Sequence, residues 1–160
     1  MQVVWHYDSP LGGMTMTGDE TALTALCFDH PSHIPVQYDV DCATHKLPVF
    51  EEAIRWLDVY FSGQAPDFTP PLRLDGTPFR QSVWKILREI PYGATMTYGQ
   101  IASRLGRMSA QAVGGAVGRN PIALIIPCHR VIGADGSLTG YAAGIERKAW
   151  LLRHEHILNE

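Results

Sequence analysis

The run Asn120-Pro-Ile-Ala-Leu-Ile-Ile-Pro-Cys-His-Arg-Val-Ile-Gly133 gathers the residues best suited to covalent chemistry within a few positions of one another. An apolar, strand-like stretch at 122–126 delivers Cys128, which is flanked by Pro127, His129 and Arg130. Cysteine attacks as the thiolate, a form favoured beside imidazole or guanidinium charge and disfavoured by plain apolar burial. The basic neighbours therefore make Cys128 the candidate nucleophile. Adjacency alone does not aim His129 at the sulfur, because neighbours on a strand point to opposite faces. Cys27, inside an apolar alternation, and Cys42 read instead as structural cysteines.

The elements that must hold this run are mostly helical. Residues 78–90 carry apolar side chains at helical spacing and stop at Pro91 and Gly93. Thr97 reads as the N-cap of a helix over 98–105 that ends at Gly106, and Ser109 as the N-cap of another over 110–117. Two short helices meeting at Gly106, with the small Ala102 nearby, have the outline of a helix-turn-helix, whose second helix would be offered to DNA. That helix holds Ala112, Gly114, Gly115, Ala116 and Gly118, although each interior glycine costs ~1 kcal/mol relative to alanine. Small residues suit either a close approach to a flat nucleic-acid surface or close helix packing.

The first half differs. Three short β-prone runs around residues 3–7, 14–17 and 23–28 are separated by Ser9-Pro10, Gly12-Gly13 and Gly18-Asp19, which predicts an antiparallel meander. A helix follows over 49–61, and the proline-rich residues 63–71 read as a linker. The expected fold is α/β (α+β), with domains at 1–72 and 73–160. Charge divides in the same way. Residues 1–75 hold three basic and eleven acidic residues, whereas 76–160 hold ten basic and five acidic. No carboxylate falls between Glu89 and Asp135, where Arg104, Arg107, Arg119 and Arg130 all lie. A basic segment inside a chain of net charge −3 points to nucleic acid met by one part of the molecule. The longest strictly apolar run, 122–126, is far short of the ~20 residues that span a bilayer, so no membrane partner is expected. An N-terminus without a basic, apolar leader and three cysteines, an odd number, point to a reducing cytoplasm rather than a secreted disulfide framework.

The Pro127-Cys-His-Arg130 block, with Gly114-Gly115-Ala116 and Asn120-Pro121 before it, resembles the O6-alkylguanine-DNA alkyltransferases, also called methylated-DNA–protein-cysteine methyltransferases. The likeness runs in order from Phe79-Arg-Gln-Ser-Val-Trp84 through Ile90-Pro-Tyr-Gly93 and Thr97-Tyr-Gly-Gln-Ile-Ala102 to Gly140-Tyr141 and Lys148-Ala-Trp-Leu-Leu-Arg-His-Glu155. It implies a ribonuclease H-like N-terminal domain and a winged-helix-like C-terminal domain. It also implies irreversible transfer of an alkyl group from O6-alkylguanine in double-stranded DNA to Cys128, once per chain, by a monomer without cofactor or metal. His129 would be the base, acting through a water, and Glu155 would orient it as in a serine-protease triad. Asn120 would brace the cysteine segment and Tyr98 would help deliver a proton to the leaving guanine. Val131, Tyr141, Ala142 and Ala143 would line the base pocket. Ser109, Ala110, Gln111 and Gly114 of the second helix, with Arg104 and Arg119, would meet the DNA.

The chain departs from that pattern at three positions. Gln111 stands where an arginine commonly fills the gap left by the extruded base, Ala142 where serine is frequent, and Ala143 where glycine is usual. Some members of that family hold a structural zinc in the first domain. Cys27-x-x-His30 and Cys42-x-x-His45 have ligand-like spacing, yet Cys27 falls in an expected strand and His30-Pro-Ser-His33 reads as a turn. Two other functions fit parts of the sequence: a lesion-binding protein without transfer activity, and a helix-turn-helix regulator whose cysteine senses electrophiles.

Overall fold

The computed structural model describes residues 2–29, 46–106, 108–138 and 140–158. The chain folds as two compact units, Met1–Leu74 and Asp75–Glu160. Among the described residues no helix is long and apolar enough to cross a membrane.

In the first unit, β1 (Val3–Ser9), β2 (Gly12–Gly18) and β3 (Leu23–Phe28) form the expected antiparallel meander in the order β1-β2-β3. Period-2 alternation turns Met14 and Met16 of β2 inward, where both are fully buried. The β2–β3 register slips at Thr17/Gly18. Glycine is required at that slip, since a Cβ on Gly18 would stand 2.7 Å from the Ala22 carbonyl oxygen. Helix α1 (Pro48–Phe61) starts on a proline at its first turn, and its buried stripe includes Phe50, Ala53, Leu57 and Tyr60. It packs on all three strands. The proline-rich stretch is stitched down at its end rather than left as a free linker. Leu23 N–H donates to Pro71 O at 2.8 Å, Arg73 N–H donates to Leu23 O at 3.0 Å, and Arg73 pairs with Asp19. Those bonds carry the division of the chain two residues past 72. Cys27 is exposed between buried Leu26 and Phe28, so the structural, buried reading of this cysteine is corrected. Alternation places it on the outer face of β3. Of the zinc-like pairs, His30, Cys42 and His45 lie outside the described residues.

The second unit contains α2 (Pro78–Glu89), α3 (Tyr98–Arg104), α4 (Ala110–Gly118) and α5 (Ile145–His154). Its helix starts follow from capping chemistry. Thr77 Oγ1 accepts from Arg80 N–H, Ser109 Oγ accepts from Ala112 N–H, and Thr97 with Gln100 closes a reciprocal capping box. Gly106, at φ +88°, makes the turn between α3 and α4. Both α2 and α3 pack on α4. Trp84 Nε1–H donates to the Ala116 carbonyl at 2.9 Å, pinning α2 to α4 inside a core that includes Val83, Leu87, Ile101 and Val113. A short parallel pair, β4 (Met96–Thr97) with β5 (Val131–Ile132), ties the start of α3 to the segment just after Cys128. Two-residue strands leave no periodicity to read, so this pair has no sequence signal.

The strand-like reading of 122–126 is also corrected. These residues fold into turns, with Ile126 N–H donating to Ile122 O at 3.1 Å. Leu124 sits at φ +70° and is fully buried. A left-handed non-glycine residue costs roughly 1–2 kcal/mol and persists only where its surroundings impose it. Asn120 does so: its Nδ2 donates to Ile126 O at 2.7 Å and its Oδ1 accepts from Ile122 N–H at 3.0 Å.

Candidate active site

Pro127 continues from this braced loop at φ −81°, ψ 65°, and Cys128 N–H donates to Ile126 O at 2.8 Å, an inverse γ-turn. A single 3-10 turn, Cys128–Arg130, comes next. Three successive side chains therefore leave one tight turn in different directions, which a strand would not allow. All three residues are buried.

His129 meets Glu155 across the unit, with Nε2 2.5 Å from Oε2. Glu155 caps the C-terminus of α5, and the turn beyond the helix fixes its aim. His156 adopts φ +62°, His156 N–H donates to Arg153 O and Ile157 N–H donates to Leu152 O, the double closure of a Schellman turn. The other carboxylate oxygen, Oε1, accepts from Arg130 Nε at 2.8 Å and from Gly93 N–H at 3.0 Å. Burial alone would push this carboxyl's pKa up, but the hydrogen bonds and charges of His129 and Arg130 outweigh it and bring it down to about 2. The imidazole pKa moves below its ordinary value, because burial, helped by the charges of Arg130 and Lys148, outweighs the pull of Glu155. At neutral pH the pair is therefore a carboxylate beside a neutral ring. The ionised carboxylate can only accept, so Nε2 carries the proton and the lone pair stands on Nδ1.

Cys128 differs from the expectation drawn from its neighbours. Burial pushes the thiol's pKa up. The Asn120 side chain, the Lys148 charge and the backbone N–H groups of Cys128 and His129 oppose that without reversing it. Arg130 turns to Glu155 and the Ile90 carbonyl instead of the sulfur. The sulfur is thus held as a thiol, which becomes a strong nucleophile only once its proton is removed. Two phenols feel its charge, Tyr98 and Tyr141, whose own pKa values are raised first by burial and then by Cys128. Tyr98 Oη donates to Gly140 O at 3.4 Å, and Gly114 faces its ring. The Tyr141 hydroxyl is buried and meets no hydrogen-bond partner among the described residues. Val131 is buried in β5, Ala142 is exposed, and Ala143 O accepts from Arg147.

Lys148 is the residue that reading the sequence missed. It is fully buried, its Nζ lies 6.0 Å from the centroid of the Tyr98 ring, and its charge acts on Cys128. Its signal was the α5 stripe itself: Lys148, Leu151, Leu152 and Glu155 stand at i, i+3, i+4 and i+7, on one face.

The α4 face is separate in character. Gln111, Ala110, Gly115 and Gly118 are exposed, and a Cβ on Gly115 or Gly118 would meet nothing within 4 Å. Close packing therefore does not explain glycine at these two positions. Of the four arginines in the carboxylate-free segment, Arg130 is neutralised internally by Glu155 and Arg104 pairs with Glu89 at 2.6 Å. Arg119 is exposed at the α4 C-cap, and Arg107 lies outside the described residues. The positive field expected from this segment is smaller than its arginine count.

Residues 78–157 match the family model described as 6-O-methylguanine DNA methyltransferase, DNA binding domain, and residues 4–74 match that described as 6-O-methylguanine DNA methyltransferase, ribonuclease-like domain. The methylated-DNA–protein-cysteine methyltransferase of Methanosarcina acetivorans is 46% identical over 151 residues, covering 93% of this chain and 95% of its own. That of Mycobacterium tuberculosis is 46% identical over 157 residues, covering 94% and 92%. Among solved structures, Mycobacterium tuberculosis OGT in complex with DNA superposes with a TM-score of 0.82 at 44% identity, covering 96% of this chain and 92% of its own. The O6-methylguanine DNA methyltransferase of Methanococcus jannaschii gives 0.71 at 29% identity, covering 98% and 95%.

Proposed function

The chain belongs to the 6-O-methylguanine DNA methyltransferase family, and from that premise we propose that it repairs double-stranded DNA by moving the alkyl group of O6-alkylguanine onto its own Cys128. The observation that carries the assignment of residues is the buried His129–Glu155 pair, whose histidine shares a turn with Cys128, behind a loop braced by Asn120. The alkylated base must leave the stack, because a stacked base cannot present its O6 substituent to a protein nucleophile. His129 Nδ1 then takes the thiol proton, through a water, as sulfur attacks the alkyl carbon in line. The sulfur–carbon bond forms, the carbon–O6 bond breaks, and the bonding electrons stay with guanine. Tyr98 supplies the proton that makes guanine a better leaving group. The Tyr141 hydroxyl, costly to bury unpaired at roughly 1–3 kcal/mol, gains a partner from a base seated beside Val131, Ala142 and Ala143.

A thioether does not leave again to water or a second thiol, so each chain reacts once. Incubation with a duplex containing O6-methylguanine should add one CH2 mass increment per chain, in the peptide holding Cys128, with no nucleotide or metal added. Turnover beyond one equivalent would overturn the reading. Tight binding without any mass gain would instead favour a lesion-binding protein. The place of action is the cytoplasm, with the DNA.

Ser109, Ala110, Gln111 and Gly114 of α4 form the face we assign to the DNA, with Arg119 at its end and Arg104 on α3. Gln111 fills the space left by the extruded nucleotide. Extrusion costs a few kcal/mol of unstacking and unpairing, and glutamine offsets it by packing and amide hydrogen bonds without a cation. Gln111→Arg is therefore expected to tighten duplex binding and speed duplex repair more than repair of single strands. If the new cation meets a phosphate, the log–log salt slope should steepen by ~0.9. Gln111→Ala should slow duplex repair and leave reaction with the free modified base unchanged. Equal effects on duplex and free base would place Gln111 in the fold instead.

A further inference from the structure

The relay assigned above uses His129 and Glu155 and gives no work to Arg130, which is 7% exposed and held on two sides. Its Nε donates to Glu155 Oε1 at 2.8 Å, and its Nη1 donates to the carbonyl of Ile90, the C-cap of α2, at 2.8 Å. The Tyr92 ring lies against the guanidinium, 5.7 Å from centroid to Cζ. A carboxylate placed between a guanidinium and an imidazole can have its charge balanced in two ways. Guanidinium does not give up its proton in proteins, so its presence satisfies the carboxylate permanently. The imidazole then gains little by becoming a second cation, and the charges of Arg130 and Lys148 both oppose it. Without the guanidinium, the charge balance of a buried Glu155 shifts toward protonating His129, which removes the lone pair that accepts the thiol proton.

We propose that Arg130 is a positioning residue for alkyl transfer: it holds the Glu155 carboxylate ionised and aimed, and so reserves His129 as a neutral base rather than an ion-pair partner. The proposal rests on His129 acting as that base. The charged and titratable groups that act on the His129 ring or its carboxylate include Glu155 and Lys148 from α5, Arg130 from its own turn and Tyr92 from the turn after α2, with the Cys128 thiol on the same turn as the ring. Arg130 bonds both to the carboxylate and to the C-cap of a second element, so it fixes charge and direction together.

The test is a 15N NMR titration of the His129 ring in the full, unreacted chain, alongside the pH profile of methyl transfer from an O6-methylguanine duplex. In the parent protein the ring should stay neutral, with the proton on Nε2, below pH ~6.5. In Arg130→Gln the protonation midpoint should rise by about one to three pH units, because Glu155 then acts on the ring as an uncompensated opposite charge at contact distance. The acid limb of the transfer profile should rise with it. Arg130→Lys keeps the charge and should leave the midpoint near that of the parent while slowing transfer. This variant preserves the test if the glutamine variant fails to fold. An unchanged midpoint in Arg130→Gln, or a full upward shift in Arg130→Lys, would overturn the proposal. Because the NMR midpoint needs no alkyl transfer, failure of His129 as the base would appear separately, as a parent profile that does not follow the ring's titration.

Discussion

Cys128→Ser is expected to take methyl transfer from one group per chain to none, while binding to duplex DNA stays close to the parent value. The loss follows from the state of the sulfur. Burial raises the Cys128 thiol's pKa, with Asn120 and Lys148 offsetting only part of the rise. A serine hydroxyl in the same place meets the same desolvation from a far weaker starting acidity, and its oxygen is a much poorer nucleophile toward an alkyl carbon than sulfur. Binding should survive because the exposed α4 residues Ala110, Gln111, Gly115 and Gly118 do not depend on the sulfur. Mass spectrometry of the protein after incubation with methylated duplex, paired with a gel-shift titration, measures both halves. Transfer by the serine variant at a rate near the parent's would mean that another residue accepts the methyl group.

The caps were legible because each rests on one side chain and the N–H groups just after it. Thr97 and Ser109 announce the starts of α3 and α4, and Gly106 announces the turn between them. The 122–126 run was misread because composition cannot distinguish a buried strand from a buried turn. What decides it is Asn120, whose side chain takes over the hydrogen bonding that a strand neighbour would supply. Cys27 was misread for a related reason. Alternation shows that successive residues differ in exposure, and at Leu26-Cys27-Phe28 the two larger residues take the inner face.

In the site itself, sequence order placed Cys128, His129 and Arg130 together but gave no direction to any of them. The 3-10 turn sends the two basic side chains to Glu155 and leaves the sulfur with Asn120, Lys148 and the two phenols. The basic neighbours in sequence therefore turn to a carboxylate 27 residues from Cys128 rather than acting on the sulfur as direct charges. Lys148 does act directly, and the sequence offers a rule for finding it. A lysine and a glutamate at the two ends of an otherwise leucine-lined helical stripe cannot both be solvated if the stripe is buried.

His129→Ala is expected to slow methyl transfer by about 10²–10⁴-fold, the usual range for removing a general base, with duplex affinity nearly unchanged. A thiol already pushed upward by burial leaves little thiolate to react without the base, which argues for the upper part of that range. Glu155→Gln should slow transfer as well, but through a different balance. Glutamine can still accept from His129 Nε2, so the ring keeps its aim, yet the developing imidazolium loses its counter-charge. The same change strands Arg130, 7% exposed, without its carboxylate. Breaking a buried pair from one side costs roughly 3–5 kcal/mol, so the melting temperature of Glu155→Gln should fall while that of His129→Ala, which keeps the Glu155–Arg130 pair, falls less. The parent's rate should follow the neutral ring, rising with pH through the lowered histidine pKa and levelling by neutral pH. In His129→Ala that limb should vanish and the rate should instead climb with direct ionisation of the thiol, above its ordinary range. Single-turnover rates across pH, with calorimetry on each variant, separate the two effects. A His129→Ala protein with parental rate and profile would reduce the histidine to packing and leave Asn120 and Lys148 as the groups that prepare the sulfur.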